Sequence, residues 1–249
     1  MPVITRDDIP EIAPTLRQLS QREILLWAIQ SFGDKVAFSS SLGVEDQVLT
    51  HVIAESAPSM RIFTLDTGRL FPETYNLIEQ TENRYRFKFE VYCPDATEVE
   101  AMVREHGINL FYRSTDLRKL CCGVRKINPL RRALRGLEAW ITGLRRAQSV
   151  TRQEADVLEW DAQNDLIKIN PLWKYTDQEV WDFVRSHDIP YNPLHNQGFL
   201  SIGCSCCTRA VRPGEDVRAG RWWWESPEHR ECGLHLSNGK LVPTRATVQ

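Results

Sequence analysis

Lys35-Val36-Ala37-Phe38-Ser39-Ser40-Ser41-Leu42-Gly43 passes within nine residues from a short apolar run to small polar residues, and the chain from Val48 to Ala54 reads as a helix. A strand that enters a helix through small residues presents backbone N–H groups and the positive end of a helix dipole to an anion. The Gly-Lys-Ser/Thr ending of a Walker loop is absent, as is the full Ser-Gly-Gly-x-Asp-Ser of ATP pyrophosphatases. Taken alone, the stretch fits an ordinary strand-to-helix turn equally well.

The same alternation continues on both sides. Upstream, Ile12, Leu16, Leu19, Ile24, Leu25 and Ile29 recur at helical spacing up to about Phe32. Downstream, Arg61-Ile62-Phe63-Thr64-Leu65 predicts a second strand ending at Asp66-Thr67-Gly68, and Pro72 opens another helix. Residues 87–92 alternate as a third strand, and Ala139-Trp140-Ile141-Thr142-Gly143 makes a fourth. Strands separated by helices imply an α/β fold, a mostly parallel sheet with helices on both faces. Ligands of such sheets sit beyond the carboxyl ends of the strands. Three loops leave strand ends in that way, 39–43, 65–68 and 143–146, and they nominate Ser39, Ser40, Ser41, Gly43, Leu65 and Gly143 for substrate binding. After Pro171 the character changes. Thr176 caps a helix with Glu179 at the capping-box position, and prolines, a cysteine cluster and Arg221-Trp222-Trp223-Trp224 follow. The expected organisation is one nucleotide-binding domain over 1–220 and a mobile C-terminal tail over 221–249.

Composition excludes several classes. At 42% hydrophobic and 26% charged over 249 residues, the chain has a globular core. The mean hydropathy is −0.39, and no run is apolar enough for a membrane span. No basic segment precedes an apolar stretch near Met1, so a cytoplasmic location is expected. A net charge of −2 argues against nucleic acid as a partner. Cations nevertheless gather in the middle, with Arg113, Arg118, Lys119, Arg125, Lys126, Arg131, Arg132, Arg135, Arg145, Arg146 and Arg152. Arg209, Arg212, Arg218 and Arg221 form a second group. About half are expected on solvated helix faces, and the rest in a focused site for a small polyanion.

Seven cysteines stand at 93, 121, 122, 204, 206, 207 and 232. In a reducing compartment clustered cysteines bind metal or perform chemistry rather than form disulfides. Cys121-Cys122 and Cys204-x-x-Cys207 supply four thiolates, a complete shell for an iron–sulfur cluster or for structural zinc. Adjacent cysteines favour the cluster, because neighbouring side chains reach different irons more easily than one small ion. Arg125, Lys126 and Arg209 would suit its negative charge. Cys206 sits inside the second pair as a bystander, and Cys93 reads as a core residue. Cys232 lies near Arg221, Arg230 and His235, cations that would lower a thiol pKa, yet a lone tail cysteine is as easily inert.

Together these parts resemble the thioredoxin-dependent adenylyl sulfate and phosphoadenylyl sulfate reductases. The resemblance is carried by the Ser39 loop, Leu65-Asp66-Thr67-Gly68, Cys121-Cys122-Gly123-Val124-Arg125-Lys126, Trp140-Ile141-Thr142-Gly143-Leu144-Arg145, Ile202-Gly203-Cys204-x-x-Cys207-Thr208-Arg209 and Glu231-Cys232-Gly233-Leu234-His235. It implies the adenine nucleotide α-hydrolase-like fold (PP-loop type) and a 4Fe-4S cluster on Cys121, Cys122, Cys204 and Cys207. It also implies a catalytic Cys232 assisted by Lys126 and His235. Lys126, Arg145, Arg152, Arg218 and Arg221 are the implied clamps on the anionic substrate, adenylyl sulfate. Thioredoxin or glutaredoxin is the implied reductant, and a homo-oligomer is compatible with the sequence. Rival expectations are the same chemistry on phosphoadenylyl sulfate, an ATP-pyrophosphatase-type thiolation enzyme, and a zinc-binding module without activity.

Overall fold

Val36, Ala37 and Phe38 are all buried, so successive side chains are covered on both faces, as a central parallel strand requires. The computed structural model describes residues 4–148 and 154–226. Its strands are β1 (Val36–Ser40), β2 (Arg61–Leu65), β3 (Glu90–Tyr92), β4 (Ala139–Ile141), β5 (Leu158–Asp161) and β6 (Leu166–Ile169). They form one sheet in the order β3-β2-β1-β4-β6-β5, parallel throughout except for the β5–β6 hairpin at one edge.

The helices are α1 (Ile9–Leu16), α2 (Gln21–Phe32), α3 (Val44–Ser56), α4 (Pro72–Tyr85), α5 (Ala96–His106), α6 (Thr115–Cys122), α7 (Asn128–Ala133) and α8 (Asp177–Ser186). The main core holds Ile24, Leu25, Val48, Leu49, Ile53, Val180 and Val184 from α2, α3 and α8 against Phe38, Ile141 and Ile167. On the opposite face Leu130, Ala133 and Leu134 cover Ala37, Phe63, Trp140 and Leu166. Helices on both faces are thus present, as the strand–helix alternation predicts.

Three local differences from the sequence reading have physical causes. α3 starts at Val44 rather than Val48, because extended Gly43 (φ −66°, ψ 164°) serves as its cap. β3 keeps only Glu90–Tyr92, since the Phe89 amide donates to Glu82 Oε1 of α4 at 3.0 Å and leaves the ladder. The β5–β6 hairpin was not anticipated. At α8 the capping box is as expected: the Glu179 amide donates to Thr176 Oγ1 at 3.2 Å, and the Thr176 amide to Glu179 Oε2 at 2.8 Å.

The two cysteine motifs occupy a second, smaller core. Cys121 and Cys122 end α6, and the helix runs through one π turn, Gly123–Ile127, into α7. Single π turns inside helices concentrate at functional sites. Cys204 and Cys207 join them in an apolar cluster with Met102, Leu110, Phe111, Val124 and Trp222. Of the expected tail, 221–226 is described: the Trp222 amide donates to the Cys207 carbonyl at 3.1 Å, and Trp222 is fully buried. Residues 227–249, with Cys232 and His235, and residue Arg152 lie outside the described residues.

Candidate active site

A cavity of about 440 Å³ opens at the carboxyl ends of β1, β2 and β4. All three nominated loops line it: Ser39, Ser40, Ser41 and Gly43 from the first, Leu65 and Thr67 from the second, Gly143 and Arg145 from the third. Lys126, Arg218, Arg221 and Cys204 complete its wall. The volume suits a small nucleotide-sized ligand.

The first loop is held in an unusual shape. Leu42 has φ +61°, a left-handed conformation that a branched residue adopts at a cost of roughly 1–3 kcal/mol. Two contacts hold it there: the Leu42 amide donates to Ser40 Oγ at 3.2 Å, and Ser41 donates through its amide and hydroxyl to Asp46 Oδ2 at 2.5 and 2.7 Å. Asp46 also fixes the third loop. A Cβ on Gly143 would stand 2.1 Å from Asp46 Oδ1, so only glycine fits there.

Burial raises the Asp46 carboxyl to about 7, with the Ser41 hydrogen bonds pulling the other way. The folded-state value lies above the unfolded one, so the folded protein binds the proton more tightly. Asp46 therefore favours folding fully at low pH. Its contribution is lost progressively as pH rises from about 4 to 7. Asp46→Asn keeps the shape without the titration. We expect the slope of stability against pH to flatten between pH 5 and 7, measured by urea unfolding; an unchanged slope would remove Asp46 as its source.

Arg145, one of the expected clamps, is tied to neighbouring groups. It lines the cavity, but its guanidinium donates to Glu45 Oε1 at 2.7 Å, to Asp177, and to the Tyr175 carbonyl at 3.0 Å. Burial disfavours the Glu45 charge, yet Arg145 and Gln148 hold its carboxyl below the usual range. Arg145 thereby ties the third loop to α3 and α8. Glu45, Asp46, Gln148 and Asp177 belong to this site and were missed: Glu45 meets Arg145 and Gln148, and Asp177 meets Arg145, only across long stretches of sequence, and the Ser41–Asp46 contact depends on the folded shape of the loop.

Arg221 is buried, with Nη1 3.4 Å from the Ile202 carbonyl. Its guanidinium lies across Gly203, where a Cβ would meet Nη2 at 2.3 Å. The glycine before Cys204 is thus a cradle for a cavity-lining cation.

The cysteine core adjoins this wall. Thr67 Oγ1 and Cys204 Sγ are 3.3 Å apart, and Arg125 donates to the Thr67 carbonyl at 2.7 Å. The Ser205 amide donates to the Arg69 carbonyl at 2.8 Å. The loop after β2 is thus bonded to both cysteine segments. Burial pushes the Cys121 thiol up, with Arg125 opposing. Cys206 is half-buried, its Sγ 3.8 Å from that of Cys207. Cys93 is exposed, contrary to its reading as a core residue. Among the described residues no group of three or more His, Cys, Asp or Glu side chains is arranged to hold a metal ion. The four buried thiols are nonetheless the right donors for iron, gathered from two segments into one apolar core beside Arg125 and Lys126.

The mostly parallel sheet with its strand-end cavity has the α/β architecture expected of the adenine nucleotide α-hydrolase-like class. Residues 35–210 match the phosphoadenosine phosphosulfate reductase domain. The chain is 51% identical over 234 residues to an adenosine 5'-phosphosulfate reductase of Allochromatium vinosum, covering 94% of this chain and 89% of that one. It is 47% identical to the enzyme of the same description from Burkholderia cepacia, covering 95% and 94%. Among solved structures it is similar to a phosphoadenylyl-sulfate reductase from Candida auris in complex with phosphate, with TM-score 0.72 and 29% identity over 84% of this chain and 98% of that one. The chain belongs to the phosphoadenosine phosphosulfate reductase family.

Proposed function

We propose that this chain reduces adenylyl sulfate to sulfite and AMP, as an oxidoreductase acting on sulfur in sulfate assimilation and cysteine biosynthesis. The observation that carries the reading is the junction of the two sites: Cys204 and Lys126 line the same cavity as the three strand-end loops. The adenylyl sulfate reductases among the relatives support the choice of substrate.

In the proposed chemistry the Cys232 thiolate attacks the sulfur of the sulfate group. A bond from Cys232 Sγ to that sulfur forms, the bond from sulfur to the bridging oxygen breaks, and AMP departs with the electron pair. The enzyme is left as a Cys232 S-sulfonate, so one difficult reduction is divided into two substitutions. A thiolate of reduced thioredoxin or glutaredoxin then attacks Cys232 Sγ, and sulfite leaves with the electron pair. The carrier's second thiol resolves the mixed disulfide, returning the Cys232 thiol and an oxidised carrier. Charge builds on the departing phosphate and sulfate oxygens, where Lys126, Arg218 and Arg221 supply cations from the cavity wall. Arg152 and His235 are further candidates from the sequence.

Cys121, Cys122, Cys204 and Cys207 would hold a 4Fe-4S cluster, which when bound supplies a fixed charged centre beside Lys126. Thioredoxin provides both electrons, so the reaction draws none from that centre. Among the described residues no helix is long and apolar enough to cross a membrane; a cytoplasmic location is part of the proposal. The domain division proposed is a reductase body followed by a segment that delivers Cys232.

The test is a comparison of adenylyl sulfate with phosphoadenylyl sulfate on iron-loaded protein. We expect kcat/KM for adenylyl sulfate to be higher by about 100-fold, which corresponds to a difference of about 2.7 kcal/mol. Preference for the 3'-phosphorylated substrate would reassign the enzyme, and ATP turnover would point to thiolation chemistry instead.

A further inference from the structure

Arg118 stands on α6, one turn before the paired cysteines, and its side chain is 0% exposed. An arginine with no water around it must find all its partners within the protein. Its Nε and Nη2 donate to Glu225 Oε1 and Oε2 at 2.9 and 2.7 Å, a two-pronged pair. It also lies beside Cys122, one turn further along α6. The guanidinium lies 4.7 Å from the ring centroid of Trp222, and that of Arg221 lies 4.7 Å from the same ring. Trp222 is itself held at φ +41°, a conformation unfavourable for an aromatic residue. Its amide is bonded to the Cys207 carbonyl, and the Glu225 amide closes a turn onto the Trp222 carbonyl at 2.8 Å. One cation thus touches a cysteine of the proposed cluster, the ring beneath a cavity-lining arginine, and the last buried acid before 227–249.

We infer that Arg118 is a positioning residue, latching the segment that precedes Cys232 to the cysteine core and seating Arg221 through their shared contact with Trp222. The inference rests on the proposed function and adds to it a reason for the cysteine core to lie where it does. Cys232 follows Glu225 by seven residues, so even a fully extended leash reaches no more than about 25 Å from the latch. Without the latch the next anchor is the hydrogen bond from the Trp222 amide to the Cys207 carbonyl, ten residues before Cys232. The reach then grows to about 36 Å, and the volume within that reach rises roughly threefold. Displacement of Arg221 from the cavity adds to that loss.

The pair is a buried one, so removing a single partner strands a charge, whereas replacing both with apolar residues of similar volume is tolerated far better. The experiment therefore uses Glu225→Gln together with the double variant Arg118→Met/Glu225→Leu. Iron content, AMP affinity and the single-turnover rate of Cys232 S-sulfonation by saturating adenylyl sulfate are measured without reductant. We expect full iron, AMP affinity within about threefold of wild type, and S-sulfonation slowed by roughly ten- to fiftyfold in both. If the single variant fails to fold, the double variant decides. A wild-type rate in iron-loaded double variant overturns the latch. So does a loss of AMP affinity equal to the loss of rate, which would mean that the cavity itself had collapsed. Loss of iron from a folded variant also overturns it, making Arg118 part of the cluster's holder instead. Wild-type protein that forms no S-sulfonate would instead sink the functional reading, and the latch's role with it, whatever the variants do.

Discussion

Cys232→Ser is expected to stop sulfite formation, with kcat lowered by on the order of 10⁴-fold or more, while AMP binds as before. A serine hydroxyl is scarcely ionised at neutral pH, whereas a thiol beside cations is readily the thiolate, and only the anion attacks sulfur effectively. Among the described residues Ser41, Thr67, Lys126, Gly143 and Arg221 build the cavity wall, and Cys232→Ser leaves all of them in place, so nucleotide affinity should hold. Two measurements check this: sulfite release with excess reduced dithiol, and intact-mass detection of the S-sulfonate after a single turnover. Both signals should vanish in the variant. Cys206→Ser is the control, because Cys206 is the half-buried thiol nearest the cysteine core and the one best placed to mislead. It should keep full S-sulfonation. Sulfite release from Cys232→Ser, or its loss from Cys206→Ser, would move the nucleophile away from the tail.

The parts of this molecule visible in the sequence are those whose cause is local. Val36–Ser40 and Arg61–Leu65 announce themselves as short apolar runs, and the loops after them follow from the strand ends. Thr176 and Glu179 cap α8 three residues apart. The β5–β6 hairpin is local too but went unread, with Ala162, Gln163, Asn164 and Asp165 between Leu158-Glu159-Trp160-Asp161 and Leu166-Ile167-Lys168-Ile169. Its signal is a polar turn in which Asp165 takes φ +59° and the Asn164 amide bonds to Asp161 Oδ1 at 3.2 Å. What local pattern cannot reveal is pairing at long range. Arg145 reads as a substrate clamp from its motif, and its ion pair with Glu45, a hundred residues away, is invisible there. Arg118 looks like one more cation on a basic helix until Glu225 is folded onto it. Asp46 follows a loop that reads as an anion site, and only burial raises its carboxyl to about 7.

The cysteine core yields the second large effect. Cys204→Ala is expected to reduce iron and sulfide to background and to lower the apparent Tm by about 10 °C. A 249-residue chain shifts by about 2–4 °C per kcal/mol, so this corresponds to losing roughly 3–5 kcal/mol. The size follows from what meets at that thiol. Cys204 shares a core with Cys121, Cys122 and Cys207, and it contacts the hydroxyl of Thr67, whose carbonyl takes the Arg125 bond. Buried thiols become ligands only as thiolates, so metal binding and the folding of this core are one equilibrium. The consequence reaches the substrate. With the core loosened, the loop after β2 loses both its tie to Cys204 and the fixed position of Arg125, and AMP should bind about tenfold more weakly. Colorimetric iron and sulfide analysis, visible absorption and calorimetric AMP titration together read all three effects. Wild-type protein that is colourless and holds stoichiometric zinc would replace the cluster with a structural ion. Iron retained in Cys204→Ala would show instead that Cys206, whose sulfur lies 3.8 Å from that of Cys207, had taken over as a ligand.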